Sequence, residues 1–138
     1  MSQTITEGTR LGSDSTRKIM NVGLWILQIG AAGMFLMAGF SKLSGDPQMV
    51  EMFDAIGFGQ WFRYVTGSVE VLGAVLLLVP RLSGLGALLL AGVMLGAVAT
   101  HLFVIGGSPL PAIILLIVTG LIAWGRRQRT MNLFAQQR

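Results

Sequence analysis

The acidic residue Glu70 lies inside an apolar run from Val65 to Val79. A carboxylate in the middle of a membrane-spanning helix is costly, so we expect Glu70 to have an ion partner, to carry a proton or to act in function. The single histidine, His101, lies in the next apolar run. Carboxyl and imidazole groups both accept and release protons, so these two residues are candidates for a proton relay.

Two further cations belong to the same candidate site. Arg63, Thr66 and Glu70 are spaced i, i+3 and i+7 and therefore share one helix face. Lys42 ends the preceding apolar run at about the level of Arg63. Because consecutive spans are antiparallel, we expect Lys42, Arg63, Glu70 and His101 to form an outward-facing ligand-binding pocket. Thr66 is expected to hydrogen-bond to its own helix backbone.

Each of these residues also has a simpler interpretation. Lys42 would then only extend its ammonium group to the membrane interface, and His101 would be a packing residue. Arg63 is either an interfacial anchor or the ion partner of Glu70. Glu70 itself would belong to a structural ion pair or be a protonated, hydrogen-bonded carboxyl group. Gln28 lies in the opposite half of its span and is expected to stay outside this cluster.

The composition indicates an integral membrane protein. Hydrophobic residues make up 53% of the 138 residues and charged residues only 12%, about half the usual fraction in soluble domains. The chain has no cysteine and one histidine, so we expect neither a metal site nor a covalently bound cofactor. The net charge of +4 comes from residues at the ends of apolar runs, which is typical of membrane topology and not of nucleic-acid binding.

The apolar runs predict an all-α fold, a membrane four-helix bundle that occupies residues 19–125. Residues 1–18 are expected to form a flexible cytoplasmic tail, and residues 126–138 a basic cytoplasmic tail. The four predicted spans are residues 19–40, 62–79, 82–105 and 108–125.

A short amphipathic helix is predicted between spans one and two. Asp46 and Pro47 are favoured at a helix start, and Gly57 at a helix end. The apolar positions recur at helical spacing and are Met49, Met52, Phe53 and Ile56. We expect this helix to lie in the interface or to cover the bundle.

The distribution of charges predicts the orientation. Basic residues surround the two chain ends and the connection between spans two and three, whereas the acids Asp46, Glu51 and Asp54 lie in the first connection. By the positive-inside rule, both termini face the cytoplasm.

Span three contains a GxxxG motif, Gly92 to Gly96. Such motifs let helix backbones approach closely in lipid. We favour packing within the chain over a dimer contact, while a homo-oligomer remains a candidate assembly because four spans bury little surface.

Four motifs make the chain resemble the DoxX family of small bacterial four-helix membrane proteins, over about residues 21–124. They are Gly39-Phe-Ser-Lys-Leu43, Gly67-Ser-Val-Glu-Val-Leu-Gly73, Leu77-Leu-Val-Pro-Arg81, and Met94 to Thr100-His101 followed by Pro109. The resemblance implies a multi-pass protein of the bacterial cytoplasmic membrane, associated with oxidoreductase systems, with Lys42, Glu70 and His101 at recurring positions.

Three functions are compatible with these features. The favoured hypothesis is a redox-associated subunit linked to quinone, in which Lys42 or Arg63 bonds a quinone carbonyl and Glu70 and His101 relay protons. Its electrons would come from an oxidoreductase partner subunit, and whether the chain is itself an enzyme is left open. The alternatives are a small proton-coupled transporter and a non-catalytic membrane scaffold for a partner protein.

Overall fold

The computed structural model describes the backbone of residues 2–135 and the side chains of residues 12–135. Helices are the only regular secondary structure in this part of the chain, which contains no strand, and this confirms the predicted all-α class. The helices are α1 (Ser2–Ser44), α2 (Pro47–Ile56), α3 (Gln60–Leu78), α4 (Ser83–Thr100), α5 (Leu110–Gly125) and α6 (Arg127–Ala135), with a π-helical turn at His101–Ile105 that continues α4.

Helix α1 extends well beyond the first predicted span. It begins at Ser2, so the segment predicted as a flexible tail is helical and continuous with the span. Its residues 12–18 are exposed, and Thr16 donates a hydrogen bond from its hydroxyl to the carbonyl of Gly12 in the preceding turn (3.0 Å). At the other end of the chain, most of the predicted basic tail forms α6, while residues 136–138 lie outside the described residues.

The short helix between the first two spans is present as α2. The carboxylate of Asp46 accepts a hydrogen bond from the backbone N–H of Gln48 (3.0 Å), and Gly57 ends the helix with a φ of 89°. Both are standard helix caps, and only glycine adopts such a φ without strain. Phe53 is buried against the body of the molecule.

Helix α3 packs between α1 and α4, and α4 packs in turn against α5. Contacts between α1 and α3 pair Lys42 with Glu70 and Gln28 with Leu77, so the two helices are antiparallel. The molecule therefore has an α2 end, near Lys42, and an α6 end, near Gln28. Its core between these ends consists of Ala31, Ala32, Phe35, Ala74, Leu77, Ala87, Leu90, Met94, Ala112 and Ile122.

Glycines bring α3 and α4 together, but they are not those of the GxxxG motif. A Cβ atom on Gly86 would lie 2.9 Å from the carbonyl oxygen of Gly73 and 2.9 Å from the backbone nitrogen of Leu77. Gly92 and Gly96 are exposed, and added Cβ atoms there would meet nothing within 4 Å. The expectation that Gly92 and Gly96 pack helices within the chain is therefore wrong.

Three segments are long and apolar enough to cross a membrane: Gly12–Ser44, Gln60–Leu78 and Ser83–Ile105. Helix α5 has 16 residues and is bent by 57° from α6, so the two form a fourth span only if they act as one broken helix. Large apolar side chains point outward from these helices, among them Ile26, Met37 and Phe40. Such outward-facing side chains are typical of helices that contact lipid.

Candidate functional site

Glu70 forms a buried ion pair with Lys42. The Lys42 ammonium nitrogen lies 3.1 Å from Oε1 and 3.2 Å from Oε2 of Glu70. The Glu70 side chain is 3% exposed and that of Lys42 is 14% exposed. The ion partner of Glu70 is therefore Lys42 and not Arg63, which the sequence had made a candidate for this role.

Two glycines bring the pair together by letting α1 and α3 cross at close range. A Cβ atom on Gly39 would lie 2.9 Å from the carbonyl oxygen of Gly67, and one on Gly67 would lie 3.0 Å from the Cβ of Lys42. Lys42 and Glu70 each follow one of these glycines by three residues. Because the helices are antiparallel, the two residues lie on opposite sides of the crossing, and the long lysine side chain spans the difference.

Arg63 lies on the α2 side of the pair and contacts the backbone of Lys42, but not Glu70. Its guanidinium donates from NH1 to the main-chain carbonyl of Lys42 and from Nε to the side-chain oxygen of Gln60 (2.7 Å). It also lies over the ring of Tyr64, 4.4 Å from its centre. Arg63 is buried and bonds Gln60 and the Lys42 carbonyl, so the prediction that it is the ion partner of Glu70 is wrong.

Gln60 connects this cluster to α2 and was not singled out from the sequence. Its side-chain nitrogen donates to the carbonyl of Val50 (3.0 Å) and to the carboxylate of Asp54 (2.7 Å), both on α2. The chain of contacts therefore runs from α2 through Gln60 and Arg63 to the backbone of Lys42. The spacing of Gln60 and Arg63 by three residues at the start of a helix was the available signal.

His101 lies at the same end of the molecule but makes a different contact. Its Nδ1 is 3.0 Å from the carbonyl oxygen of Gly106, which only accepts, so Nδ1 carries the hydrogen. His101 and Glu70, both among the described residues, do not form a hydrogen bond with each other. His101 begins the π-helical turn, a local distortion often found at functional sites. Thr66 donates to the carbonyl of Phe62 on its own helix (2.8 Å), as predicted.

The Glu70 side chain is almost inaccessible in this structure, since only 3% of it is exposed and its carboxylate is paired with Lys42. An open cleft of about 510 Å³ lies instead at the α6 end, beside Pro80 and Arg129. Within residues 12–135 no group of three His, Cys, Asp or Glu side chains could hold a metal ion.

A second buried polar cluster occupies the α6 end. Gln28 donates from its side-chain nitrogen to the carbonyl of Leu77 (2.8 Å) and accepts from Nε of Arg126 (2.7 Å). Arg126 also donates to the side-chain oxygen of Asn21 (2.9 Å). Sequence reasoning counted Arg126 only as a topological charge and missed this role, since 98 residues separate it from Gln28. The expectation that Gln28 stands apart from Glu70 agrees with the structure.

Lys42, Glu70 and the glycines at the α1–α3 crossing lie in a region that matches a known protein family. The model of the DoxX-like family matches residues 26–125, which include Lys42, Arg63, Glu70 and His101. The chain belongs to the DoxX-like family. It is thus a DoxX-family membrane protein, as the resemblance implied.

Among curated proteins, the chain is similar to a Bacillus subtilis (strain 168) protein named "Putative oxidoreductase CatD". The two are 26% identical over 83 residues, which cover 60% of this chain and 62% of that protein. The match therefore spans less than two thirds of the relative. No solved structure matches this chain.

Proposed function

We propose that this DoxX-like protein is a membrane subunit of a quinone-linked oxidoreductase system, with the Lys42–Glu70 pair as its proton-handling group. The observation that carries the proposal is a carboxylate and an ammonium group held together inside an apolar helix crossing, with only the ammonium group near the surface. The family and a relative named as an oxidoreductase support the redox assignment.

The residues of the pair fit a quinone headgroup chemically. An ammonium group has three N–H donors, and Glu70 is the only polar partner of the Lys42 ammonium among the side chains of residues 12–135. One donor thus remains for a carbonyl oxygen. A bound quinone would supply two-electron, two-proton redox chemistry. Glu70 would supply or accept a proton through Lys42, and the electrons would come from a partner subunit.

The proposed setting is the bacterial cytoplasmic membrane, with four spans and both termini in the cytoplasm. The basic residues of the α3–α4 turn and of α6 favour the cytoplasmic side for the α6 end. The α2 end, with Lys42, would then face outward. A homo-oligomer is compatible with the outward-facing Gly92 and Gly96.

Binding of a short-chain benzoquinone or naphthoquinone to protein in lipid nanodiscs, followed by tryptophan fluorescence, tests the proposal. We expect Glu70→Gln and Lys42→Met to weaken affinity by about tenfold or more, because each removes one charge of the pair. Glu51→Gln, which changes an exposed acid on α2, is the matched control. His101→Ala tests separately whether the histidine takes part.

Unchanged quinone affinity in Glu70→Gln and Lys42→Met proteins that melt like the wild type would refute the quinone assignment. One observation favours the scaffold alternative: the same side chains join α1, α2 and α3 through Arg63 and Gln60. A purely structural cluster would lose stability in these variants while any quinone affinity remained that of the wild type. Proton-coupled flux in vesicles that Glu70→Gln abolishes would instead indicate a transporter.

A further inference from the structure

The α6 end of the molecule has an excess of positive charge. From Val71 to Arg138 the sequence contains no aspartate or glutamate, but it contains five arginines: Arg81, Arg126, Arg127, Arg129 and Arg138. The structure collects three of these, Arg81, Arg126 and Arg129, around the α3–α4 turn and the start of α6. We call these three residues the arginine cluster.

Arg126 is buried without a counter-charge. It is 5% exposed, and its Nε and NH1 donate to the neutral amides of Gln28 and Asn21. Its third nitrogen, NH2, is buried and has no hydrogen-bond partner among the described residues. A buried cation without an anion is unfavourable, since the loss of hydration is not offset by a charge partner.

A cleft opens at the same end of the molecule. It has a volume of about 510 Å³ and is lined by Pro80, Arg81, Arg129, Asn132 and Leu133. Arg129 lies one turn after Arg126 and donates its backbone N–H to the Arg126 carbonyl (3.0 Å). The lining thus contains two guanidinium groups and an amide but no acid.

The walls of the cleft are fixed by packing. Arg129 donates to the carbonyl of Pro80 (2.7 Å), which joins α6 to the α3–α4 turn. Gly84 allows the close approach of α6, because a Cβ atom there would overlap the hydroxyl of Thr130. The lining groups are therefore held in place before any ligand arrives, which lowers the entropic cost of binding.

We propose that this cleft binds the phosphate group of an anionic ligand. Guanidinium groups match the oxygens of phosphate, often with two parallel hydrogen bonds, and bind it more strongly than neutral donors do. An anion bound beside Arg129 would also lower the positive potential at Arg126, one helical turn away. The phosphate could belong to the headgroup of an anionic phospholipid, since the cleft lies at the ends of membrane-length helices, or to a soluble phosphate compound.

Purified full-length protein in nanodiscs tests the proposal and separates the two sources. One arm compares thermal stability and lipid retention in phosphatidylcholine with those in mixed phosphatidylcholine and phosphatidylglycerol. The other arm titrates inorganic phosphate into phosphatidylcholine nanodiscs. We expect Arg81→Gln and Arg129→Gln to weaken the binding of whichever source is bound by about tenfold each.

Arg127→Gln is the matched control. This arginine is exposed on the same helix, lies over Trp124 and does not line the cleft. We expect its loss to change affinity less than about twofold, as a peripheral surface charge does. Equal losses in Arg127→Gln and Arg129→Gln would overturn the proposal in favour of a diffuse surface attraction.

Arg129→Gln also removes the hydrogen bond to Pro80 and could therefore affect folding. Asn132→Asp is a second variant that tests the cleft without this loss. This exposed residue lines the cleft, and the carboxylate keeps the acceptor that its side chain offers to Gln128. The new negative charge should repel phosphate and weaken binding while the melting temperature without ligand stays unchanged. Failure of both phosphatidylglycerol and phosphate to bind wild-type protein would refute the proposal.

Discussion

Lys42 and Glu70 depend on each other at the scale of single residues. Each charge is offset by the other at 3.1 Å, and neither has a second ion partner among the side chains of residues 12–135. Removing one member of a buried ion pair leaves an uncompensated charge or an unpaired donor, whereas replacing both with apolar groups is often tolerated.

A double-mutant cycle on this pair measures that dependence. We expect Glu70→Leu and Lys42→Met each to lower the free energy of unfolding by about 3 kcal/mol, and the double variant Lys42→Met/Glu70→Leu to recover most of the loss. Unfolding of detergent-solubilised protein by SDS measures these free energies. The exposed Glu51→Gln should stay within about 0.5 kcal/mol of the wild type. Additive losses in the double variant would show that the two side chains are not energetically coupled.

Sequence patterns predicted which polar side chains lie at the α2 end but not all of their partners. The apolar surroundings marked Glu70, and the positions of Lys42, Arg63 and His101 at one end followed from antiparallel spans. Which cation contacts Glu70 depends on the crossing point of α1 and α3, set by Gly39 and Gly67. Arg63 and Glu70 share a helix face, which suggested that they are in contact. The Arg63 guanidinium instead donates to the Lys42 carbonyl near the C-terminal end of α1.

At the scale of elements, the glycines of α4 occupy two different environments. Hydrophobic runs and cap residues predicted most helix ends within about two residues, because local chemistry sets them. A small-residue motif such as GxxxG does not reveal whether its glycines face a neighbouring helix of the same chain or the outside. Gly86 packs against α3, whereas Gly92 and Gly96 face outward, and the almost uniformly apolar sequence of α4 gives no amphipathic signal to distinguish them.

Alanine substitutions in α4 separate these two roles. Gly86→Ala places a methyl group 2.9 Å from backbone atoms of α3, so the helices must move apart. We expect a loss of about 1–3 kcal/mol in the free energy of unfolding. Gly92→Ala, in open space on the same helix, should leave stability unchanged or raise it slightly through its better helix propensity. A similar loss in both variants would contradict the assignment of Gly86 as the packing contact.

At the scale of the whole molecule, polar clusters at opposite ends are separated by an apolar core. The α2 end contains Lys42, Glu70 and Arg63, and the α6 end contains Arg126 with Gln28. Acidic residues occur in the α2 connection, whereas the sequence after Glu70 contains none. This asymmetry agrees with the two different ligands proposed for the two ends, a quinone at the α2 end and a phosphate group at the α6 end. It also predicts their placement across the bilayer.

Cysteine accessibility in intact bacteria tests that placement, and the absence of native cysteine removes any background labelling. Single cysteines at the exposed residues Ser13, Gln48 and Gln128 report on the N-terminal part of α1, on α2 and on α6. With four spans and both termini in the cytoplasm, a membrane-impermeant maleimide should label only Gln48→Cys before permeabilisation and all three afterwards. If α5 does not cross the membrane, Gln128→Cys is labelled together with Gln48→Cys. Labelling of Ser13→Cys and Gln128→Cys alone would reverse the orientation, and with it the side from which ligands reach Lys42 and the arginine cluster.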